Sequence, residues 1–202
     1  MDFRKLEIKD TNAFCELIKD MYSSLENLEW FSPMPFDYEN VKSIIENPRF
    51  YVLGAFDGEF LCSVSSFDYK CGKLIGKIDF PSNCNTEKLV EIGFTMVHSN
   101  YRGQGIMKKM ILLLIEIAKK QGFEWVFGKV HKDNLASSIS FKRNNFYKCN
   151  DYNKPVKISD IKNLLEQGVL SEQATKKINY TLEHNINDQC IWVDYEILIK
   201  NI

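Results

Sequence analysis

Tyr101-Arg102-Gly103-Gln104-Gly105-Ile106 lies between an apolar, strand-like run ending at Val97 and a helical run beginning near Gly105. A strand, a glycine-bearing loop and a helix start, in that order, converge backbone N–H groups on an anion. The first helical donors have no partner inside the helix, and the helix dipole adds partial positive charge there. Gly103 and Gly105 remove side chains that would hold a phosphate off the backbone, and Arg102 adds a permanent cation at the mouth. The local physics therefore points to phosphate or pyrophosphate. Two common phosphate loops do not fit. A Walker loop ends in Gly-Lys-Ser/Thr, whereas Gly105 is followed by Ile106-Met107, and a Rossmann fingerprint needs a third glycine in a first β-α unit.

Outward from this loop the chain reads as a succession of short elements. Phe3 to Ile8 alternates like a strand, and a helix is expected from Thr11 to Leu25 with Phe14, Leu17, Ile18 and Met21 on one face. Trp30 to Phe36 is an aromatic connection broken by Pro33 and Pro35, and Asp37 is placed to cap a second helix that ends before Pro48. Phe50–Phe56 and Glu59–Phe67 flank Asp57-Gly58, a hairpin turn signal. Asp68 to Lys88 reads as an extended excursion with Leu74, Ile75 and Ile78 packing locally. Glu91–Val97 and Trp125–Val130 bracket the helix from Gly105 to about Gln121 as a β-α-β unit, with its strands parallel. Asn134–Asn144 is helical, Phe146–Asn150 extended, and Cys190–Ile199 a closing strand. Between Pro155 and Asn185 two further helices are expected, around Ser159–Gln167 and Ser171–His184.

Val97-His98-Ser99-Asn100-Tyr101-Arg102-Gly103-Gln104-Gly105-Ile106-Met107 resembles the acetyl-CoA signature of the Gcn5-related N-acetyltransferases (GNAT), Arg/Gln-x-x-Gly-x-Gly/Ala. Met107 stands where the family usually has Gly or Ala, and Ser99 where it usually has Pro, so the Met107 side chain must turn away while its N–H stays available. A second stretch, Asn134-Leu135-Ala136-Ser137-Ser138-Ile139-Ser140-Phe141-Lys142-Arg143-Asn144-Asn145-Phe146, resembles the family's Asn-x-x-Ala/Ser-x-x-Leu-Tyr-x-x-x-Gly-Phe motif. Asn145 takes the glycine place, which its tolerance of left-handed backbone angles permits. The element order, β-α-α-β-β-β-α-β-α-β-β, is also the family's. The resemblance covers Phe3 to Asn150 and the last strand, and residues 155–185 depart from it. It implies an α/β fold of the α+β type. One GNAT-like domain would span residues 1–202, with a mixed, mostly antiparallel sheet flanked by helices and a helical insertion over 155–185.

The same resemblance implies that Arg102, Gly103, Gln104, Gly105, Ile106 and Met107 cradle the pyrophosphate of acetyl-CoA. Met96 and Val97 would offer main-chain groups to the pantetheine arm as an added strand does, and Asn134 would hold that arm. Phe141 falls at the cofactor position where many relatives place a tyrosine that protonates the leaving thiolate. Phenylalanine cannot donate that proton, so core packing is its larger role. A thiol of pKa about 8.5 still leaves as a thiolate near neutral pH, and Tyr147 or water is the expected substitute. Glu91 is the candidate base, because an alkyl amine must lose a proton before it attacks. Alternation would set Glu91 with Gly93 and Thr95 on one face. A solvated strand-end acid and a ligand for the acceptor ammonium stand beside that reading. Trp30 and Phe31, with Phe36, are expected at the acceptor pocket. His98 and His131 read as exposed strand-end residues.

Bulk properties fit this picture. The chain has 202 residues, 45% hydrophobic and 26% charged, with a formal charge of −1. That is enough for one buried domain, and it gives no electrostatic footprint for nucleic acid or an anionic membrane. The longest apolar runs, such as Met110–Ile115, are far short of a membrane span, and no signal-peptide core follows Met1-Asp2-Phe3-Arg4-Lys5. The six cysteines are scattered without a Cys-x-x-Cys pair or a base partner, and the three histidines are not at zinc-ligand spacing. No metal is expected, and reduced thiols in the cytoplasm are. The functional expectation is transfer of an acetyl group from acetyl-CoA to a small-molecule primary amine by direct attack. A protein or peptide N-acetyltransferase and an acyl-CoA-binding module with little catalysis are the alternatives. The insertion is expected to lid the acceptor site or to make a homodimer contact.

Overall fold

The computed structural model describes residues 1–30, 32–70, 76–184 and 189–202. Seven strands form one sheet in the order β1-β2-β3-β4-β5-β7-β6. Their ranges are β1 Asp2–Lys5, β2 Phe50–Asp57, β3 Phe60–Asp68, β4 Leu89–Val97, β5 Trp125–His131, β6 Tyr147–Lys157 and β7 Cys190–Asn201. Every neighbouring pair is antiparallel except β4 and β5. The helices are α1 Thr11–Ser23, α2 Tyr38–Glu46, α3 Ile106–Lys120, α4 Leu135–Lys142, α5 Ile158–Glu166 and α6 Glu172–His184. The mixed, mostly antiparallel sheet expected from sequence is present.

Two hydrophobic layers sandwich the sheet. On one face Phe14, Leu17, Ile18 and Met21 of α1 pack with Val41 and Ile45 of α2. Asp37 caps α2, its carboxylate accepting the Asn40 N–H at 3.1 Å. On the other face Met110, Ile111 and Leu114 of α3 cover Val90, Ile92 and Val126. Because β5 runs parallel to β4, it needs the α3 crossover and cannot be reached by a hairpin.

Three expectations change. The first strand ends at Lys5, because residues 8–10 form a single helical turn in which the Asp10 carboxylate accepts the Glu7 N–H at 2.8 Å. Strand β6 does not stop near Asn150 but runs on to Lys157, and Pro155 sits in it opposite Trp192. Proline is admissible there because β6 is the outer strand and its missing N–H interrupts no ladder. The inserted helices α5 and α6 form as expected, yet none of their residues lines the largest cleft among the described residues. Ile161, Leu164 and Ile178 join the α1-side core with Tyr22 and Leu25, and Ser171 N–H donates to the Tyr22 carbonyl at 3.3 Å. Of the residues expected to pack locally before β4, Leu74 and Ile75 lie outside the described residues, while Ile78 packs with Trp125 and Phe127.

Candidate active site

Strands β4 and β5 pair only from Leu89 opposite Trp125 to Ile92 opposite Gly128. The register of β4 against β3 changes at that point. Ile92 faces Phe67, but Thr95 faces Ser65, so Gly93 and Phe94 together oppose Ser66. This is a β-bulge, which bends a strand and raises its twist. Gly93 suits it, since a Cβ there would lie 2.7 Å from Ser66 Oγ. Beyond the bulge β4 leaves β5, and a cleft of about 700 Å³ opens between them. The bulge also overturns the expected alternation. Ile92 packs in the α3-side core, whereas Phe94 and Met96 pack in the α1-side core. Glu91 therefore shares its face with Phe94 and Met96, not with Gly93 and Thr95.

The open edge of β4 faces the cleft. His98 N–H donates to the Cys62 carbonyl at 2.9 Å. In an antiparallel ladder bonded pairs alternate, so Met96 is bonded to β3 while Thr95 and Val97 turn their main-chain groups outward. Val97 meets the expectation of an open main-chain group in its N–H, while its carbonyl accepts from Arg102 Nε at 3.1 Å. Met96 does not, because its groups serve the sheet and Ser63 Oγ donates to its carbonyl at 2.8 Å.

At the mouth, Gly103 and Gly105 adopt φ of 76° and 75°, in the left-handed region that favours glycine. The first main-chain bond within α3 is Lys109 N–H to the Gly105 carbonyl, 3.2 Å. The N–H groups of residues 103–108 have no acceptor among the described residues, which makes a cradle for an anion. Gln104 and Gly105 are exposed, and the Gln104 side chain reaches back to the Asn100 carbonyl at 3.3 Å. Ile106 is buried and Met107 packs its side chain into the α3-side core, so the departure at Met107 is accommodated. The Arg102 guanidinium is partly occupied by the protein. Its Nε donates to the Val97 carbonyl at 3.1 Å and Nη2 to Ser24 Oγ at 2.6 Å, tying the loop to the end of α1.

Asn134 caps α4, its side-chain oxygen accepting the Ser137 N–H at 3.1 Å, and it lines the cleft. Asn145 has φ of 63°, the left-handed angle expected where the family places glycine. Phe141 is 3% exposed and meets the Phe146 ring edge-on at 4.9 Å. It lies so close over β5 that a Cβ on Gly128 would be 2.6 Å from its ring. Phe141 is thus a core residue whose edge reaches the cleft wall. Tyr147, the suggested substitute acid, is exposed on the outer strand and does not line the cleft.

The inner end of the cleft carries charge. Glu91 is 5% exposed, so it is not a solvated strand-end acid, and the Lys129 ammonium lies 2.7 Å from its carboxylate. Burial pushes the Glu91 carboxyl above the ordinary glutamate range, against the pull of Lys129. Asp68, opposite Glu91 on β3, is held by Arg49, whose Nε donates to it at 2.7 Å. Lys154 of β6 reaches in from the far side and donates to Ser32 Oγ at 2.7 Å. Tyr195 of β7 is buried, its phenol pushed up to about 12 by burial, and its hydroxyl donates to the Glu29 carbonyl at 3.3 Å. His131 is 3% exposed, which corrects the exposed reading. It is the last residue of β5, and β7 covers it. Its Nδ1 accepts the Asp133 N–H at 3.1 Å, leaving Nε2 to face Glu29 at 3.6 Å. His98 is half-buried, with Nε2 3.4 Å from Asp20.

Trp30 lines the cleft with its indole N–H buried and without an acceptor among the described residues. Phe31 lies outside the described residues. Phe36 packs instead in the α1-side core, edge-on to Tyr22. Lys129, Lys154 and Tyr195 went unread in the sequence, and His131 was read only as an exposed strand-end residue. A lysine inside the apolar run Trp125–Val130 was the single available signal. The five described cysteines are free thiols, and no group of three potential metal ligands occurs among the described residues. No helix of those residues is long and apolar enough to cross a membrane.

The Acetyltransferase (GNAT) family matches residues 12–150, and the chain belongs to it. No curated protein matches. Among solved structures, the chain is similar to a ribosomal-protein-alanine N-acetyltransferase from Brucella melitensis, at 18% identity and a TM-score of 0.66 over 100% of both chains. It is also similar to an N-acetyltransferase from Staphylococcus aureus Mu50, at 13% identity and 0.65 over 99% of this chain and 97% of that one. A third is yncA of Salmonella typhimurium, solved with its cofactor acetyl-CoA, at 17% and 0.63 over 100% and 93%. At these identities the likeness is one of fold. Family and fold together support acyl transfer from acetyl-CoA in general.

Proposed function

We propose that this chain transfers the acetyl group of acetyl-CoA to the primary amine of a small molecule, by direct attack and without an acyl-enzyme. The observation that carries this reading is one cleft with a cradle of N–H groups at one end, which have no acceptor among the described residues, and a buried carboxylate, Glu91, at the other. The residues present fit the cofactor. The donors of 103–108 would take the pyrophosphate, and the outward main-chain groups of Thr95 and the N–H of Val97 would take the pantetheine amides. Acetyl-CoA supplies a thioester carbonyl for the amine to attack.

In this reading Glu91 receives the proton that the acceptor ammonium sheds, directly or through a water. Burial raises its pKa towards that of the amine it serves, and Lys129, 2.7 Å away, favours the ionised form against that burial. Coenzyme A then leaves as the thiolate, since Phe141 has no proton to give. A small acceptor is favoured over a protein tail because the charged inner end is walled by residues of β4, β5, β6 and β7 and by the loop bearing Trp30 and Ser32. The chain's formal charge of −1 also offers nothing to a basic peptide.

The test is acceptor-dependent CoA release from acetyl-CoA, followed chromatographically against pooled amines, amino acids, antibiotics and peptides. Glu91→Gln is expected to lower kcat by about 10²–10⁴-fold with acetyl-CoA affinity nearly intact. The base works only when ionised, so wild-type turnover should fall as pH drops through the raised Glu91 pKa, above the ordinary value of 4.5. The variant should lack that limb. Acetyl-CoA binding without release towards any acceptor would favour the binding-module reading that Phe141 suggests.

A further inference from the structure

Each carboxylate at the inner end of the cleft already has a basic partner. Glu91 holds Lys129, and Asp68 holds Arg49. Glu29 at its edge faces His131 at 3.6 Å. Lys154 is different. It is half-buried, it lines the cleft, and its one hydrogen bond among the described residues is to the neutral Ser32 hydroxyl, 2.7 Å away. No described carboxylate forms an ion pair with it. The charges around it oppose it on balance. Burial and Lys129 both push its ammonium pKa down, and Glu91 pulls it up more weakly. An ammonium taken from water without a counter-ion is costly, and a cleft that keeps one is set to receive an anion.

We propose that Lys154 is a specificity residue that binds a carboxylate of the acceptor, so that the amine acetylated belongs to an amino-acid-like zwitterion. This rests on the acyltransferase reading above. The acceptor's ammonium is drawn to the Glu91 side and its carboxylate to Lys154, which orients the nitrogen as well as selecting the molecule. The Ser32 hydroxyl, accepting from Lys154 and hydrogen-bonded to Tyr195, holds the ammonium in place at the cleft wall. A peptide N-terminus or a polyamine lacks a carboxylate beside its amine and leaves Lys154 unpaired.

The test compares kcat/KM for free amino acids against their α-amides, which keep the amine and remove the negative charge. A charge-assisted hydrogen bond predicts a preference for the acid of about 10–100-fold. In Lys154→Met the ratio of acid to amide should collapse towards one, and Lys154→Arg should restore part of it. Lys154→Met should also keep its thermal midpoint, since it removes an unpaired cation and no ion pair. A second readout does not require turnover. N-acetylamino acids, titrated calorimetrically into the CoA-loaded protein, should bind more tightly than their amides in wild type but not in Lys154→Met. Equal use of acids and amides, or a ratio that survives Lys154→Met, overturns the assignment while leaving acetyl transfer standing. Lys154-dependent binding of the acids with no CoA release from any amine would uphold the anion site and overturn the transferase.

Discussion

Replacing Lys129 by Met tests the buried charge pair at the centre of the site, and its size follows from the geometry. Methionine keeps most of the lysine stem, so the loss is mainly the ammonium 2.7 Å from Glu91. The stranded carboxylate has two ways to respond. Remaining ionised and unpaired costs about 3–5 kcal/mol. Taking up a proton costs less wherever the pH is close to the unfolded-state pKa. From the ordinary value of 4.5, protonation at pH 7 costs about 3.4 kcal/mol and at pH 5 about 0.7 kcal/mol, at 1.36 kcal/mol per pH unit. These figures are ceilings. The sign follows from linkage. The folded variant binds the proton more tightly than the unfolded chain, so the penalty is absent below pH 4.5 and grows as pH rises. Urea unfolding of wild type and Lys129→Met at pH 7 and pH 5 reads the difference directly. Glu91→Gln combined with Lys129→Met should recover most of the pH 7 loss. A loss that is equal at both pH values, or a double variant no more stable than Lys129→Met, would refute the reasoning.

Two further outcomes are expected. Gly105→Ala meets no neighbouring atom, so its effect is conformational. Holding φ near 75° should cost about 1–2 kcal/mol. The methyl group over the N–H cradle should also weaken acetyl-CoA about 10-fold or more by calorimetry, and an unchanged Kd would remove the pyrophosphate from that loop. Gly128→Ala drives a methyl into the Phe141 ring and should cost about 1–3 kcal/mol by denaturant midpoint. Adding Phe141→Leu should recover part of that loss, and strictly additive losses would show that the two residues are not in contact.

The cofactor half of the cleft was legible because it is written locally. The glycines at 103 and 105 and the period of α3 are neighbours in sequence, and their backbone angles follow from which residues they are. The same holds for Asn145, whose left-handed angle was expected from the residue type. The bulge in β4 was not legible. One extra residue leaves strand propensity and apolar content unchanged, yet it moves Glu91 to the face of Phe94 and Met96 and separates β4 from β5. Gly93, with its close approach to Ser66, was the one mark it left.

The acceptor half is assembled by pairing at a distance. Glu91, Lys129, Lys154 and Tyr195 come from four strands, β4, β5, β6 and β7. The last strand in sequence, β7, lies between β5 and β6. Lys154 reaches the site because β6 continues past Asn150, and that continuation is fixed by its ladder with β7, not by its own composition. The split has a functional consequence. A loop that binds a shared cofactor is free to keep one local pattern, while residues that meet the acceptor sit where changes in several strands alter the pocket independently. Motifs therefore identify the donor in this fold, and the identity of the acceptor must be sought in half-buried charges such as Lys154 that no described carboxylate pairs.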